Sequence, residues 1–272
     1  MRVARKWLAD GHQVAALTRS RERAGHFAEI GLTPVIGDIT KPETLRDVPA
    51  ASTILFAVGF DRQAGPSIEE VYVNGLANFL AVIPNSDATQ RFIYISSTGV
   101  YGQTDGGWVD EDSSCEPNRA GGKACLEAER LLQQSRFADR SVILRCAGLY
   151  GPDRIPRLSD VESQQPIRAN ADVWLNLIQI DDLVNIVDQI ASSRPPSQLY
   201  VVSDGQPVVR RDFYDYLAKL KKLPPPVFAP ADDSSRRASG DNKRIRTDRL
   251  LRELQPELAY PTYREGLAAI ET

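Results

Sequence analysis

Two hydroxyl side chains follow a predicted strand in the segment RFIYISSTGVYG of this 272-residue chain. Ser97 is placed to bond a substrate oxygen that gains negative charge during a hydride transfer, and Ser96 is a candidate for cofactor binding. Ordinary turn chemistry is the alternative for both hydroxyls. Tyr101 is expected to pack rather than to act as an acid. Ligands bind at the carboxyl ends of the strands in an open parallel sheet, so residues at those ends are the site candidates.

Arg19 follows the first predicted strand, in the segment VAALTRSR. In a dinucleotide-binding fold this position faces the adenosine ribose. An acidic residue there would bond the free 2′-hydroxyl of NAD, whereas an arginine suits the 2′-phosphate of NADP. The residue type therefore favours NADP, with NAD as the alternative. Arg19 and Arg21 are equally typical of solvated surface charges.

The second and third predicted strands also end in candidate positions. Asp38, in GDIT, is placed to bond an adenine amino group, or to cap the turn that follows. The small segment Ala57, Val58 and Gly59 follows the third strand, and it would let a flat cofactor lie against the backbone. A simple tight turn is the other interpretation of that segment.

Short apolar runs alternate with helical patterns through the first half of the chain. Ser20 is a predicted N-cap, and Thr40 with Glu43 and Ser67 with Glu70 are predicted capping boxes. Such alternation predicts βαβ units, a parallel sheet and right-handed crossovers. The predicted strands are residues 14–18, 34–37, 53–58, 92–96 and 141–146.

The pattern changes after Pro152. We expect residues 1–152 to form a dinucleotide-binding core, and 153–272 to complete that core through 177–203 and to add a small C-terminal substrate lobe. Asp181 and Asp182 are expected to cap a helix over 183–190. Further predictions are strands at 177–180 and 199–202, helices at 210–223, 248–254 and 263–270, and a polar loop at 234–242.

Composition limits the classes of function. Hydrophobic residues make up 42% and charged residues 25% of the chain, and the net charge is -3, so we expect no nucleic-acid partner and no membrane. Three cysteines and two histidines show no metal-ligand spacing, so no metal site is predicted. Reduced thiols favour a cytoplasmic protein. The basic residues at the start, ahead of Asp10, lack the apolar core of a secretory signal.

Several segments together resemble the short-chain dehydrogenase/reductase superfamily, in its extended and atypical branch of NAD-dependent epimerase/dehydratase-like proteins. The resemblance covers nearly the whole chain and implies an α/β fold, a Rossmann-like doubly wound parallel sheet with a small C-terminal substrate lobe and an NADP (or NAD) site. It also places Ile39 and Cys146 among the cofactor-binding positions. The segments are GHQVAALTRS, GDIT, ISSTGVYG, ILRCAGLYGP, LIQIDDLVNIV, LYVVSDGQPVVRRDFYDYL and YPTYREGLAAI.

The family begins with a strand and a glycine-rich turn of the GxxGxxG kind, which presents backbone N–H groups to the pyrophosphate. Here the sequence opens on a predicted helix whose apolar face holds Val3, Trp7 and Leu8, and Gly11 follows as its C′ residue. The absent strand would lie between the strands near Val14 and Ile54. We therefore expect the gene product to start upstream of Met1.

A second departure concerns catalysis. Family enzymes use a Tyr-x-x-x-Lys pair, and the corresponding stretch is CEPNRAGGKACLEAERLL. Aligned on LEAE, Gly121 takes the tyrosine place and Cys125 the lysine place. Aligned on Lys123, Arg119 replaces the tyrosine. Lys123 is then a candidate for ribose or substrate contacts, beside Ser97 as the polarising group.

Three functions stay open on the sequence. The first is a reductase, dehydrogenase or epimerase that acts on a sugar-nucleotide or a small carbonyl or hydroxyl compound. The second is a non-catalytic NAD(P)-binding regulator or sensor, and the third is a scaffold that binds no cofactor. The resemblance also implies a homodimer formed through two helices, here 67–83 and 121–132.

Overall fold

A computed structural model describes residues 1–84, 88–230 and 241–271. Its contacts divide the chain into two units. The first unit comprises residues 1–96, 119–144 and 186–198, and the second comprises 97–118, 145–185 and 199–272. Most of the predicted polar loop at 234–242 lies outside the described residues.

Helices and strands alternate along the first half of the chain, as the sequence predicts. The helices are α1 (Arg2–Ala9), α2 (Arg21–Glu29), α3 (Gly75–Val82), α4 (Ala120–Gln133), α5 (Leu158–Glu162), α6 (Ile180–Ser192), α7 (Arg210–Leu220), α8 (Asp248–Leu254) and α9 (Tyr263–Glu271). The strands are β1 (Ala15–Thr18), β2 (Thr33–Ile36), β3 (Thr53–Phe56), β4 (Arg91–Ser97), β5 (Trp108–Val109), β6 (Ser141–Cys146), β7 (Gly148–Tyr150), β8 (Ile167–Arg168), β9 (Trp174–Leu175), β10 (Leu177–Gln179), β11 (Leu199–Val202), β12 (Val208–Val209), β13 (Phe228–Ala229) and β14 (Arg244–Ile245).

Parallel pairing confirms the α/β prediction in the first unit. β1 pairs with β2, with Ala15 opposite Thr33. β3 pairs with β4, with Thr53 opposite Arg91, and β6 is the next strand on the far side of β4. Carboxyl ends of paired parallel strands lie at one edge, so β1 and β2 share such an edge, and β3 and β4 share another.

Local capping explains where several helices begin and end. The Ser20 hydroxyl accepts a hydrogen bond from the Arg23 backbone N–H at 3.2 Å, as predicted. Ser67 and Glu70 form the predicted reciprocal box, at 2.6 and 3.1 Å. Gly11 follows α1 with a φ of 85°, a left-handed conformation that glycine adopts without strain.

Two capping predictions are wrong. Thr40 does not open a helix: its backbone N–H and hydroxyl both donate to Asp38, and only a single 3-10 turn, Pro42–Thr44, follows. Proline begins that turn because it has no N–H to leave unbonded. Asp182 lies inside the first turn of α6 rather than before it. Its carboxylate accepts from the backbone N–H groups of Ala259 and Tyr260, at 2.8 and 3.1 Å, and so anchors a distant segment.

The first strand is less buried than its apolar letters predict. Only Thr18 of β1 is buried, and Ala15 is exposed. Similarly, α1 contains no buried residue, although the Trp7 indole donates to Asp188 at 2.9 Å. An apolar segment thus favours burial of its side chains, but the fraction that is buried depends on the elements packed against it.

The second unit has its own aromatic core. Tyr150, Phe213 and Leu217 are fully buried there, and Phe213 lies 5.6 Å from the Tyr263 ring, centroid to centroid. Short strand pairs surround this core, including the parallel pairs β7 with β10 and β5 with β14. Within the described residues, no helix combines the length and apolarity that a membrane crossing needs.

Candidate functional site

Arg19 lies in the first unit, directly after β1. Its side chain is half exposed, and Nη2 stands 3.7 Å from Asp61 Oδ2, which is itself more than half exposed. An exposed ion pair at this distance contributes little to stability. The guanidinium can therefore exchange Asp61 for a phosphate at small cost, as an NADP-binding role requires.

Asp38 follows β2 and forms a local turn. Its Oδ1 accepts from the Thr40 backbone N–H at 2.9 Å and from the Thr40 hydroxyl at 2.8 Å. The Asp38 backbone N–H donates to the Thr44 hydroxyl at 2.9 Å. These bonds hold the carboxylate in one orientation, and within the described residues its Oδ2 accepts no bond.

Ile39 is buried rather than presented to solvent. Its carbonyl oxygen accepts from the Asn78 side chain at 2.8 Å, and its Cδ1 lies 2.5 Å from the point a Cβ on Gly75 would take. A glycine at this point of α3 therefore allows the helix to approach the Asp38 turn. The cofactor role of Ile39 stays a prediction.

The end of β3 is open. Ala57 and Gly59 are exposed and Val58 is partly buried. Apart from Gly59 and its two chain neighbours, no described atom lies within 4 Å of the point where a Cβ on Gly59 would be. This free edge can accept a flat group against the backbone, which is the role that the small residues predict.

Ser96 lies at the buried end of β4, and its hydroxyl donates to Glu129 Oε1 at 2.5 Å. Cys125 belongs to the same cluster, together with Tyr94. Burial raises the pKa of the Cys125 thiol to about 11, and the nearby Glu129 adds to that rise. Cys125 is therefore a neutral thiol at physiological pH, so the residue at the lysine place supplies no positive charge.

Other candidates differ in surroundings. Ser97 is partly buried in the second unit, and its hydroxyl accepts from the Gly99 backbone N–H at 3.1 Å, which is the predicted turn chemistry. Lys123 is exposed on α4 in the first unit. Cys146 ends β6 in the second unit, where burial raises the pKa of its thiol to about 12. The roles of these residues stay predictions.

The second unit also contains buried charges that the sequence patterns did not single out. Arg145 Nη1 donates to the Tyr101 hydroxyl at 2.9 Å, and Lys243 Nζ donates to the Tyr101 backbone oxygen at 2.9 Å. Burial raises the pKa of Tyr101 even though Arg145 opposes the shift. Tyr101 therefore keeps its proton, while its hydroxyl oxygen accepts the bond from Arg145. An arginine inside the apolar strand SVILRC was the available signal for this cluster.

The first-unit candidates fit a dinucleotide. Arg19 offers a half-exposed guanidinium, Asp38 offers a fixed carboxylate oxygen, and the segment 57–59 offers an open backbone edge. Phosphate, amino and planar groups of a dinucleotide match these three features. Bound NAD(P) would supply a hydride acceptor or donor at such a site.

Comparisons with known proteins identify the family of the chain. A family model described as NAD(P)H-binding matches residues 1–169. A solved structure from Methylobacillus flagellatus, provisionally assigned as an NAD-dependent epimerase/dehydratase, is 32% identical. It covers 98% of this chain and 92% of its own, with a TM-score of 0.76.

Two curated relatives are more distant. Protein YeeZ of Escherichia coli K12 is 29% identical over 201 residues, which are 74% of this chain and 69% of the relative. A Stigmatella aurantiaca protein is 26% identical over 233 residues, covering 79% of this chain and 68% of the relative. It is named a 4-hydroxy-2-methyl-3-oxo-4-farnesyl-3,4-dihydroquinoline-1-oxide ketoreductase. The chain thus belongs to the NAD(P)H-binding, epimerase/dehydratase-like proteins of the short-chain dehydrogenase/reductase superfamily, with their Rossmann-like fold.

Proposed function

We propose that this protein binds NADP(H) in preference to NAD(H) and acts as a reductase or epimerase on a small polar or sugar-nucleotide substrate. The observation that carries the cofactor proposal is the set of strand-end features in the first unit: an exposed Arg19, a fixed Asp38 carboxylate and an open edge at Gly59. Arg19 is assigned to the 2′-phosphate and Asp38 to the adenine amino group. The planar, charged guanidinium of an arginine matches a doubly charged phosphate better than it matches a lone hydroxyl.

The chemical step is assigned to Ser97. Its hydroxyl can rotate from the Gly99 N–H to donate a hydrogen bond to a substrate oxygen, and that bond strengthens as the oxygen gains charge. Lys123 is assigned to the ribose or the substrate, because its ammonium is exposed to solvent. A carbonyl substrate is supported by the name of the Stigmatella relative, a ketoreductase.

A specific observation favours a second function, a non-catalytic NAD(P)-binding regulator. Gly121 has no proton to give, and the Cys125 thiol is buried and neutral. Neither residue can replace a tyrosine acid and its activating lysine. The fold can bind a dinucleotide without this pair, since binding and chemistry depend on different residues.

One experiment separates the proposals. Quenching of tryptophan fluorescence measures NADPH and NADH binding to the wild-type protein, to Arg19→Gln and to the neighbouring control Arg21→Gln. We expect NADPH to bind more tightly than NADH, and Arg19→Gln to abolish the preference while Arg21→Gln keeps it. If Arg19→Gln prefers NADPH over NADH as strongly as the wild-type protein does, the assignment of Arg19 is wrong.

Turnover is then tested with carbonyl compounds and sugar nucleotides. Loss of turnover in Ser97→Ala with retention in Ser97→Thr supports the hydroxyl as the polarising group. Turnover that is unchanged in Ser97→Ala removes that assignment. Dinucleotide binding without turnover of any substrate favours the regulator, and absence of binding favours a scaffold.

A further inference from the structure

Two arginines and two tryptophans of the second unit are linked by successive cation–π contacts, and we call these four side chains the Arg–Trp ladder. The guanidinium carbon of Arg246 lies 5.4 Å from the Trp108 ring centroid, and that of Arg244 lies 4.9 Å from the same ring. Arg244 also lies 5.2 Å from the Trp174 ring centroid. The order is therefore Arg246, Trp108, Arg244, Trp174.

Backbone bonds hold the ladder in place. β14 runs parallel to β5, with Arg244 opposite Trp108. The Arg244 side chain is fixed through its Nε, which donates to the Gly106 carbonyl at 2.8 Å. Trp174 joins through its backbone N–H, which donates to the Asn242 side chain at 3.0 Å. These bonds hold the backbones of the ladder residues and the Nε of Arg244 in place, which reduces the ordering that ligand binding would require.

The two charges of the ladder are not neutralised within the described residues, where neither guanidinium is paired with a carboxylate. Two other arginines of the same unit are paired with carboxylates. Arg249 bonds both carboxylate oxygens of Asp112 at 2.8 Å, and Arg211 lies 3.2 Å from Asp172. The Trp108 side chain, between the two unpaired charges, is 43% exposed, an unusual exposure for so large an apolar ring.

We propose that the ladder binds a planar aromatic ring that carries an oxyanion, either a phosphate or a carboxylate. The ring stacks on the exposed guanidinium of Arg246 and so extends the alternation by one layer. The oxyanion accepts hydrogen bonds from the Nη groups of Arg246 and Arg244, which make no other hydrogen bond within the described part of the chain, whereas the Nε of Arg244 is already engaged. This site uses none of the residues assigned to the dinucleotide, so it stands independently of the proposed function.

The test uses two probes, naphthyl phosphate and naphthoate, which carry the two oxyanions on the same ring. Naphthol is the control for the ring alone, and inorganic phosphate is the control for the oxyanion alone. Calorimetry gives the affinities, and the indole N–H signals of Trp108 and Trp174 report the location. The indole of Trp7, which donates to Asp188 in the first unit, gives a reference signal. We expect at least one probe to bind and to shift both ladder indoles, and the tighter probe identifies the oxyanion.

Matched variants make the test specific. Arg246 is exposed, so Arg246→Gln keeps the fold and is expected to weaken binding at least about tenfold. The control is Arg264→Gln, because Arg264 also stacks on two rings, Tyr216 and Tyr263, at 5.0 and 4.8 Å. The proposal is overturned if neither probe binds, or if Arg246→Gln binds the probe as tightly as the wild-type protein does. It is also overturned if naphthol or inorganic phosphate alone binds as tightly as the whole probe.

Discussion

Replacing Asp204 by asparagine should make the protein less sensitive to pH. Asp204 is buried, with 7% exposure, and its Oδ1 accepts from the Gln206 backbone N–H at 2.9 Å. Within the described residues its Oδ2 is buried without a hydrogen-bond partner. Burial raises the pKa of this carboxyl from 3.8 to about 7, and the nearby Asp182 adds to the rise.

The folded state therefore keeps a proton that the unfolded state releases above pH 3.8. Stability falls as pH rises from that value to about 7 and then levels off, as far as this group is concerned. At about 1.4 kcal/mol per pKa unit the whole loss is at most about 4 kcal/mol, of which about 3 kcal/mol falls between pH 5 and pH 8. An asparagine side chain cannot ionise, so the Asp204→Asn variant lacks this loss. Its buried amide adds a penalty of about 1–3 kcal/mol that does not depend on pH.

Urea unfolding at several pH values between 5 and 8 tests this reasoning, followed by the fluorescence of Trp108 and Trp174 in the same unit. We expect the stability of Asp204→Asn relative to wild type to improve by about 3 kcal/mol across this range. The control is Asp172→Asn, because Asp172 is 75% exposed and its relative stability should stay nearly constant. A constant difference for Asp204→Asn would refute the assignment of a buried, protonated carboxyl.

Four further predictions concern residues of the first unit and two glycines. Ser96→Ala removes one bond to the buried Glu129 and should cost about 1–3 kcal/mol in the free energy of unfolding, measured by urea titration. Gly102→Ala should cost more than about 3 kcal/mol, because its Cβ would lie 1.9 Å from a backbone oxygen. Gly25→Ala, on an exposed position of α2 with open space around it, should instead stabilise by about 0.5–1 kcal/mol in the same assay. Arg19→Gln should weaken NADPH binding and leave NADH binding nearly unchanged, as fluorescence quenching would show.

Local patterns predicted most elements of the fold. β6, β11 and α8 have the predicted bounds, and the caps at Ser20 and Ser67 form as expected. These features depend on residues close together in the chain, so a single sequence is enough to predict them. By contrast, the π-helical turn Glu70–Asn74 before α3 has no local signal that the patterns could use.

Long-range partners could not be predicted. Asp182 binds backbone groups 77 and 78 residues away, and a pattern of two acids before a helix gives no hint of that segment. The Arg–Trp ladder likewise depends on β14 pairing with β5, more than 130 residues earlier in the chain. For the candidate site, the predicted strands indicated that Arg19, Asp38 and Gly59 follow strand ends. The hydrogen bonds and solvent exposure of these residues could be read only from the structure.

Calorimetric titration of the protein with NADPH and NADH tests the central claim most directly. The account predicts saturable binding of one dinucleotide per chain, with NADPH bound more tightly than NADH. The absence of saturable binding of either dinucleotide at concentrations up to about 1 mM would contradict it.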